Sequence, residues 1–207
     1  MSNGRMRSLP SARLRMIAVA TLMLAAVLTT PLYAETGAVQ APPGFRMQDY
    51  RAPVPDTVPG ARTVELPDVQ RLIADGAVLL DVYGLRRFSI DAEGKWTPGE
   101  ERQSLPGAAW VPSVGWGEIE PWAEAYLSHS LEVLTDGQRD RPIVIFCKVD
   151  CWLSWNTTKR IAALGYQNLN WFPGGTDLWS DSGLPLEPAQ PVPVPPELVA
   201  GGFSRSD

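Results

Sequence analysis

Two stretches of the chain are apolar at nearly every position. Val78-Leu79-Leu80-Asp81-Val82 and Pro142-Ile143-Val144-Ile145-Phe146 lack the alternation of a strand with one wet face, so they predict strands buried on both faces of a parallel sheet. Residues 168–172 predict a third strand of the same kind. Between them the period changes to that of a helix. Residues 67–74 start at Pro67, put Val69, Leu72 and Ile73 on one face and stop at Asp75-Gly76. Residues 121–134 place Trp122, Ala125, Tyr126 and Leu131 toward a core. Residues 154–164 predict a third helix, closed by Gly165. Strand and helix alternate, so the expected class is α/β, with a central parallel sheet flanked by helices.

Prolines bound this unit. Six lie between Glu35 and Pro67 and six more follow Gly183, which predicts an extended, mobile arm over 35–61, a folded domain over 62–188 and an extended, mobile tail over 189–207. Ahead of the arm, Arg5, Arg7, Arg13 and Arg15 precede an apolar stretch from Met16 to Leu28 and a small-residue end at Ala34. Residues 1–34 therefore have the pattern of a secretory signal peptide, and the expected product is periplasmic, with no membrane contact after cleavage. The alternative is an uncleaved anchor, but the apolar stretch is shorter than the ~18 residues a membrane helix needs. Cleavage removes four arginines and no acid, so 14 basic against 23 acidic side chains leave a charge of −9. Such a protein repels nucleic acid, which is not an expected partner.

Export changes how the two cysteines are read, because both then face an oxidising compartment. Cys147 follows a buried strand directly and precedes a helix, at the sheet edge where open α/β folds bind ligands. Loop amides and the positive end of that helix favour a thiolate at Cys147; Lys148 adds to the effect and Asp150 opposes it. Three readings stand: a redox-active or persulfide-carrying pair, a structural disulfide between Cys147 and Cys151, or a metal site. The metal reading is short of ligands, since His129 is the single histidine and fits a helix surface. No phosphate loop, G-x-S-x-G elbow or C-x-x-C-H haem signature is present, and no metal or other cofactor is expected.

Leu79-Leu80-Asp81-Val82, Leu105-Pro106-Gly107-Ala108, the strand ending at Cys147, Ala163-Leu164-Gly165-Tyr166, Pro173-Gly174-Gly175-Thr176-Asp177-Leu178-Trp179 and Gly183-Leu184-Pro185 follow one another in the order of the rhodanese-like domain, which the chain resembles over residues 62–186. Within that superfamily, Cys147 to Trp152 followed by Ser154-Trp155-Asn156 resembles the exported CXXCW-motif proteins associated with PQQ-dependent catabolism, although three residues separate the cysteines here. The resemblance implies a rhodanese-like three-layer domain, Cys147 at the persulfide-forming position and Asp81 at the acidic position ending a strand. It also implies a PQQ-dependent dehydrogenase or periplasmic redox protein as partner.

The departures from that pattern matter. A rhodanese active loop reads C-x-x-G-x-R, whereas Asp150 and Cys151 stand in that stretch and no Arg lies between Cys147 and Ser154. An ordinary thiosulfate sulfurtransferase is thus the alternative enzyme. A binding module with a structural disulfide, docking a dehydrogenase or cytochrome, is the alternative without catalysis. The expected catalytic pair is Cys147, attacking first, and Cys151, resolving the adduct. Asp81, Lys148, Asp150, Trp152 and Ser154 are the expected supports: Asp81 bonded to loop amides, and Trp152 offering an aromatic face at the mouth to a quinone or a partner.

Overall fold

A computed structural model describes Met1, residues 39–200 and residues 202–205; the expected signal peptide and its cleavage site lie outside the described residues. The elements run β1 (Arg62–Thr63), α1 (Leu66–Ala74), β2 (Val78–Asp81), β3 (Phe88–Ile90), β4 (Trp96–Pro98), β5 (Arg102–Ser104), β6 (Ala109–Trp110), α2 (Pro121–Thr135), β7 (Ile143–Phe146), α3 (Trp152–Ala163), β8 (Leu169–Phe172), α4 (Gly175–Asp181), β9 (Glu187–Ala189), a 3₁₀ turn (Pro196–Leu198) and β10 (Phe203–Arg205).

The five-stranded sheet has the order β1-β8-β7-β2-β6 and all its pairings are parallel. Two of its three inner strands, β2 and β7, alternate between two cores. Val78 and Leu80 of β2, with Ile143 and Ile145 of β7, face a core that also holds Tyr126, Leu127 and Leu131 of α2 and Leu153 and Ile161 of α3. Leu79, Val144 and Phe146 point the other way, against Val69 of α1 and Trp179 of α4. Both faces are covered, which is why these strands are apolar without alternation. The architecture is the expected α/β class, a central parallel sheet between layers of helix.

Register fixes where the strands end. Asp81 lies opposite Phe146, and Phe146 opposite Phe172, so β2, β7 and β8 finish at one level. The chain leaves β2 toward β6 on one side and β7 toward β8 on the other. That reversal opens a crevice at the carboxyl ends of β2 and β7, the place where open α/β sheets bind ligands. Cys147 is the first residue beyond β7.

The described residues of the two proline-rich flanks, 39–61 and most of the tail from 189, are packed, a correction to their expected mobility. Val58 joins Trp152, Trp155 and Trp171 in a third apolar cluster, with Tyr50, Ala52 and Val54 against it. The indole N–H groups of Trp152 and Trp155 donate to the carbonyls of Pro53 and Thr57, both at 3.1 Å. At the other end, β9 pairs with β5, β10 pairs with β3, and Val194 and Val199 are buried. Extended proline-rich backbone leaves its carbonyls free, and buried indole and phenol donors take them: Tyr126 and Trp96 both donate to the carbonyl of Val192. The described residues from Val39 onward belong to one compact unit.

Candidate active site

Cys147 and Cys151 are joined by a disulfide, with their Cα atoms 6.2 Å apart. The bond does not lie along a helical turn. Cys151 is extended (φ −122°, ψ 104°), occupies the N-cap position of α3 and bridges antiparallel to Arg51. Asp150 turns the chain between the cysteines at φ 50°, a left-handed conformation that Asp tolerates better than most residues. Helix α3 thus begins at Trp152, two residues before the expected start.

The loop is held at several points. The carbonyl of Cys147 accepts from the Thr176 amide at 3.0 Å and from the Arg102 guanidinium at 3.3 Å. The Val149 amide donates to the Asp177 carboxylate at 2.9 Å, and its carbonyl accepts from Arg51 at 2.7 Å. The Trp152 amide donates to the Tyr50 carbonyl at 2.9 Å. Two amides expected to converge on an anionic sulfur are therefore paired with protein acceptors. Gly175, at φ +53°, passes so close to the Cys147 carbonyl that a Cβ there would collide with it.

Asp81 supports the loop, but through an intermediary. Its Oδ1 accepts from the Tyr83 amide at 2.9 Å; its Oδ2 accepts from Arg102 Nε at 2.7 Å and from Ser104 Oγ at 2.6 Å. Both members of the ion pair are buried, with side chains 0% and 4% exposed. The carboxylate fixes Arg102, and Arg102 in turn reaches Cys147. Ser154 is buried, donating to the Cys151 carbonyl and accepting from the Trp171 indole. Lys148 is half-buried with its ammonium 5.4 Å from the centre of the Tyr83 ring, and Asp150 is exposed.

Trp152 is not at a mouth. It is 1% exposed, edge-to-face with Trp155 at 5.3 Å and covered by the 39–58 segment, with the Arg46 guanidinium 5.0 Å from its ring centre. Its expected role as an open contact surface is corrected: the segment that the prolines made look mobile lies over it.

A cavity of about 590 Å³ opens beside the loop, lined by Asp49, Tyr50, Arg51, Tyr83, Gly84, Arg86, Glu100, Trp116, Cys151 and Leu153. Cys151 borders it and Cys147 does not. A second cavity of about 240 Å³, next to Lys148, shares Tyr83 and Glu100 as walls. Burial and the Glu100 carboxylate raise the Tyr83 phenol above its usual range, so it stays protonated between the two cavities.

No protein-family model and no curated protein matches the chain. Among solved structures, it is similar to the polysulfide-sulfur transferase homodimer of Wolinella succinogenes, at 16% identity and a TM-score of 0.38, over 62% of this chain and 79% of that one. It is similar to the human single-domain sulfurtransferase TSTD1, at 22% identity and a TM-score of 0.37, over 59% and 97%. SseA from Escherichia coli, described as having the rhodanese fold, is similar at 20% identity and a TM-score of 0.34, over 58% and 43%.

Arg102, Tyr83, Thr176, Asp177, Tyr50 and Arg51 are the site residues that sequence reasoning missed. Thr176 and Asp177 lie in the Gly-Gly-Thr-Asp turn that marked the family resemblance, and that was a usable signal. Arg102 carried none, because its partners lie 21 and 45 residues away. Among the described residues, no group of three or more His, Cys, Asp or Glu side chains gathers as metal ligands, and no helix is long and apolar enough to cross a membrane.

Proposed function

We propose that this chain is an exported, rhodanese-like thiol–disulfide exchange protein in which Cys147 and Cys151 are the redox pair, serving a PQQ-dependent periplasmic oxidation system. The observation that carries the chemistry is the location of the disulfide. It joins the end of a buried strand to the N-cap of a helix, at the crevice between β2 and β7 and against an open cavity. As a staple it does little, since closing a five-residue loop restricts the unfolded chain by only about 2 kcal/mol. The fold around it is already held by Arg102, Thr176, Asp177 and Tyr50. A bond that adds little to stability and borders a cavity is suited to being broken and remade.

The basic start, apolar middle and Ala34 end of residues 1–34 support export, and the Cys147 to Trp152 segment supports the link to PQQ-dependent oxidation through the family it resembles. Reduction of the folded protein tests the exchange reading. Treatment with a dithiol should yield two alkylatable cysteines while the near-ultraviolet circular dichroism of the tryptophans is retained. Thiols that appear only as the fold is lost would leave a structural disulfide. For export, mass spectrometry of the protein from its native host should find Glu35 at the N-terminus; an intact Met1 would contradict it.

A further inference from the structure

The two sulfurs are not equivalent, and their surroundings reverse the order that their positions in the sequence suggest. Cys147 is fully buried: its carbonyl is tied to Thr176 and Arg102, Gly175 packs against that carbonyl, and the residue sits in the core cluster with Val82 and Leu153. Cys151 is also buried, at 2% exposed, and shares that core cluster, but unlike Cys147 it forms part of the wall of the 590 Å³ cavity and stands at the N-cap of the 12-residue helix α3. A sulfur at that position feels the positive end of the helix, and Arg51 and Arg86 line the same cavity.

We propose that Cys151 is the sulfur that exchanges with the partner, that Cys147 is the buried sulfur that leaves in that step and resolves the mixed disulfide when the step runs in reverse, and that the cavity admits a small zwitterionic thiol, an amino-acid or short-peptide thiol bearing both carboxylate and ammonium groups. The proposal rests on the exchange reading above. The charges define the ligand class. Arg86, and Arg51 beyond its bond to the Val149 carbonyl, offer guanidinium donors for carboxylates, while Glu100, which accepts from Tyr83 at 3.5 Å, and Asp49, which pairs with Arg46 at 3.6 Å, keep carboxylate oxygens for an ammonium on the same walls. Arg86 is held over the Trp116 ring at 5.3 Å, and Tyr50 meets that ring edge-on at 5.0 Å, which gives the cationic side a fixed position. The volume is within the range of small-molecule sites.

The thiolate of the small molecule attacks Cys151 Sγ. A sulfur–sulfur bond forms there, the Cys147–Cys151 bond breaks, and its electron pair leaves on Cys147 Sγ, which takes a proton from solvent. A second thiolate attacks the small molecule's sulfur in this mixed disulfide and releases Cys151. Two thiols become one disulfide, and the cysteine pair has gained two electrons and two protons.

The test uses the oxidised full chain with reduced glutathione as the probe, acid quenching, alkylation and tryptic mapping. Cleavage after Lys148 puts Cys147 and Cys151 on separate peptides. The expected early product carries glutathione on Cys151 and the alkyl group on Cys147. Glutathione on Cys147 would overturn the order while leaving exchange intact. No adduct and no released thiol, with glutathione or with 2-mercaptoethanol, would instead defeat the exchange reading itself. For the ligand class, Arg86→Gln should slow the reaction with glutathione about tenfold more than that with 2-mercaptoethanol, which lacks a carboxylate and registers only the loss of positive charge near Cys151. Equal effects on both thiols, or none on either, would overturn the zwitterion assignment.

Discussion

Replacing Asp81 by Ala removes the single carboxylate that neutralises Arg102, whose side chain is only 4% exposed. The guanidinium is then left buried with the Cys147 carbonyl as its remaining acceptor, and the Tyr83 amide and Ser104 hydroxyl lose theirs. Breaking one side of a buried pair costs about 3–5 kcal/mol, because an uncompensated charge stays behind. At roughly 2.1 cal/mol/K of unfolding entropy per residue over about 165 residues, that loss lowers the melting temperature by about 9–14 °C. Asp81→Asn keeps the shape and an acceptor but not the charge, so it should fall between Ala and wild type. Near-ultraviolet circular dichroism, which reports the buried tryptophans, follows the unfolding. A shift under about 3 °C for both variants would refute the reasoning, since it would mean that solvent reaches and screens the pair. Because Arg102 also bonds the Cys147 carbonyl, alkylation of Cys147 in the reduced variant should be faster than in reduced wild type.

Gly175→Ala places a Cβ against the Cys147 carbonyl at a left-handed φ, and should lower stability in denaturant titration by about 1–3 kcal/mol. Burial holds the Tyr126 phenol well above its ordinary value of 10.0. Below pH 10 both states keep the proton; above it the unfolded chain ionises first, so stability falls as pH rises, by up to about 1.4 kcal/mol per pH unit from this group. Urea unfolding against pH should show that alkaline slope, and Tyr126→Phe should lessen it. Mild trypsin treatment of the folded protein should leave Arg46 and Arg51 uncut, because residues 45–58 are held to α3 by the bonds of Asn156, Trp152 and Trp155; early cleavage at either arginine would contradict that packing.

The parts of the fold legible in the sequence are those whose burial leaves a local pattern. Strands β2, β7 and β8 are covered on both faces, so their apolar runs stand out, and α1 and α2 have proline starts. The short strands leave no such trace. They are two to three residues long, partly exposed, and β4 and β9 contain prolines that normally count against a strand. Helix α3 begins early because Cys151 caps it without a side-chain bond, so no capping residue announces the start. The arms misled for a related reason. Proline-rich backbone has the same local signature whether it is free or packed, and what packs it here are indole and phenol donors 66 to 99 residues away. At the site, Cys147 stood out at the end of a buried strand and Cys151 one turn on toward the helix, while Asp81 was marked by the family resemblance. The means by which Asp81 acts was not, because Arg102 meets it only once β5 has folded back over the end of β2.

In the proposed function the Cys147–Cys151 bond is exchanged rather than merely structural. Its reduction potential, measured by equilibrating the folded protein against a dithiol couple of known potential and counting alkylated thiols by mass, tests that most directly. Exchange in an oxidising compartment predicts a value well above about −300 mV; a value below about −300 mV would mark a structural disulfide and contradict the account.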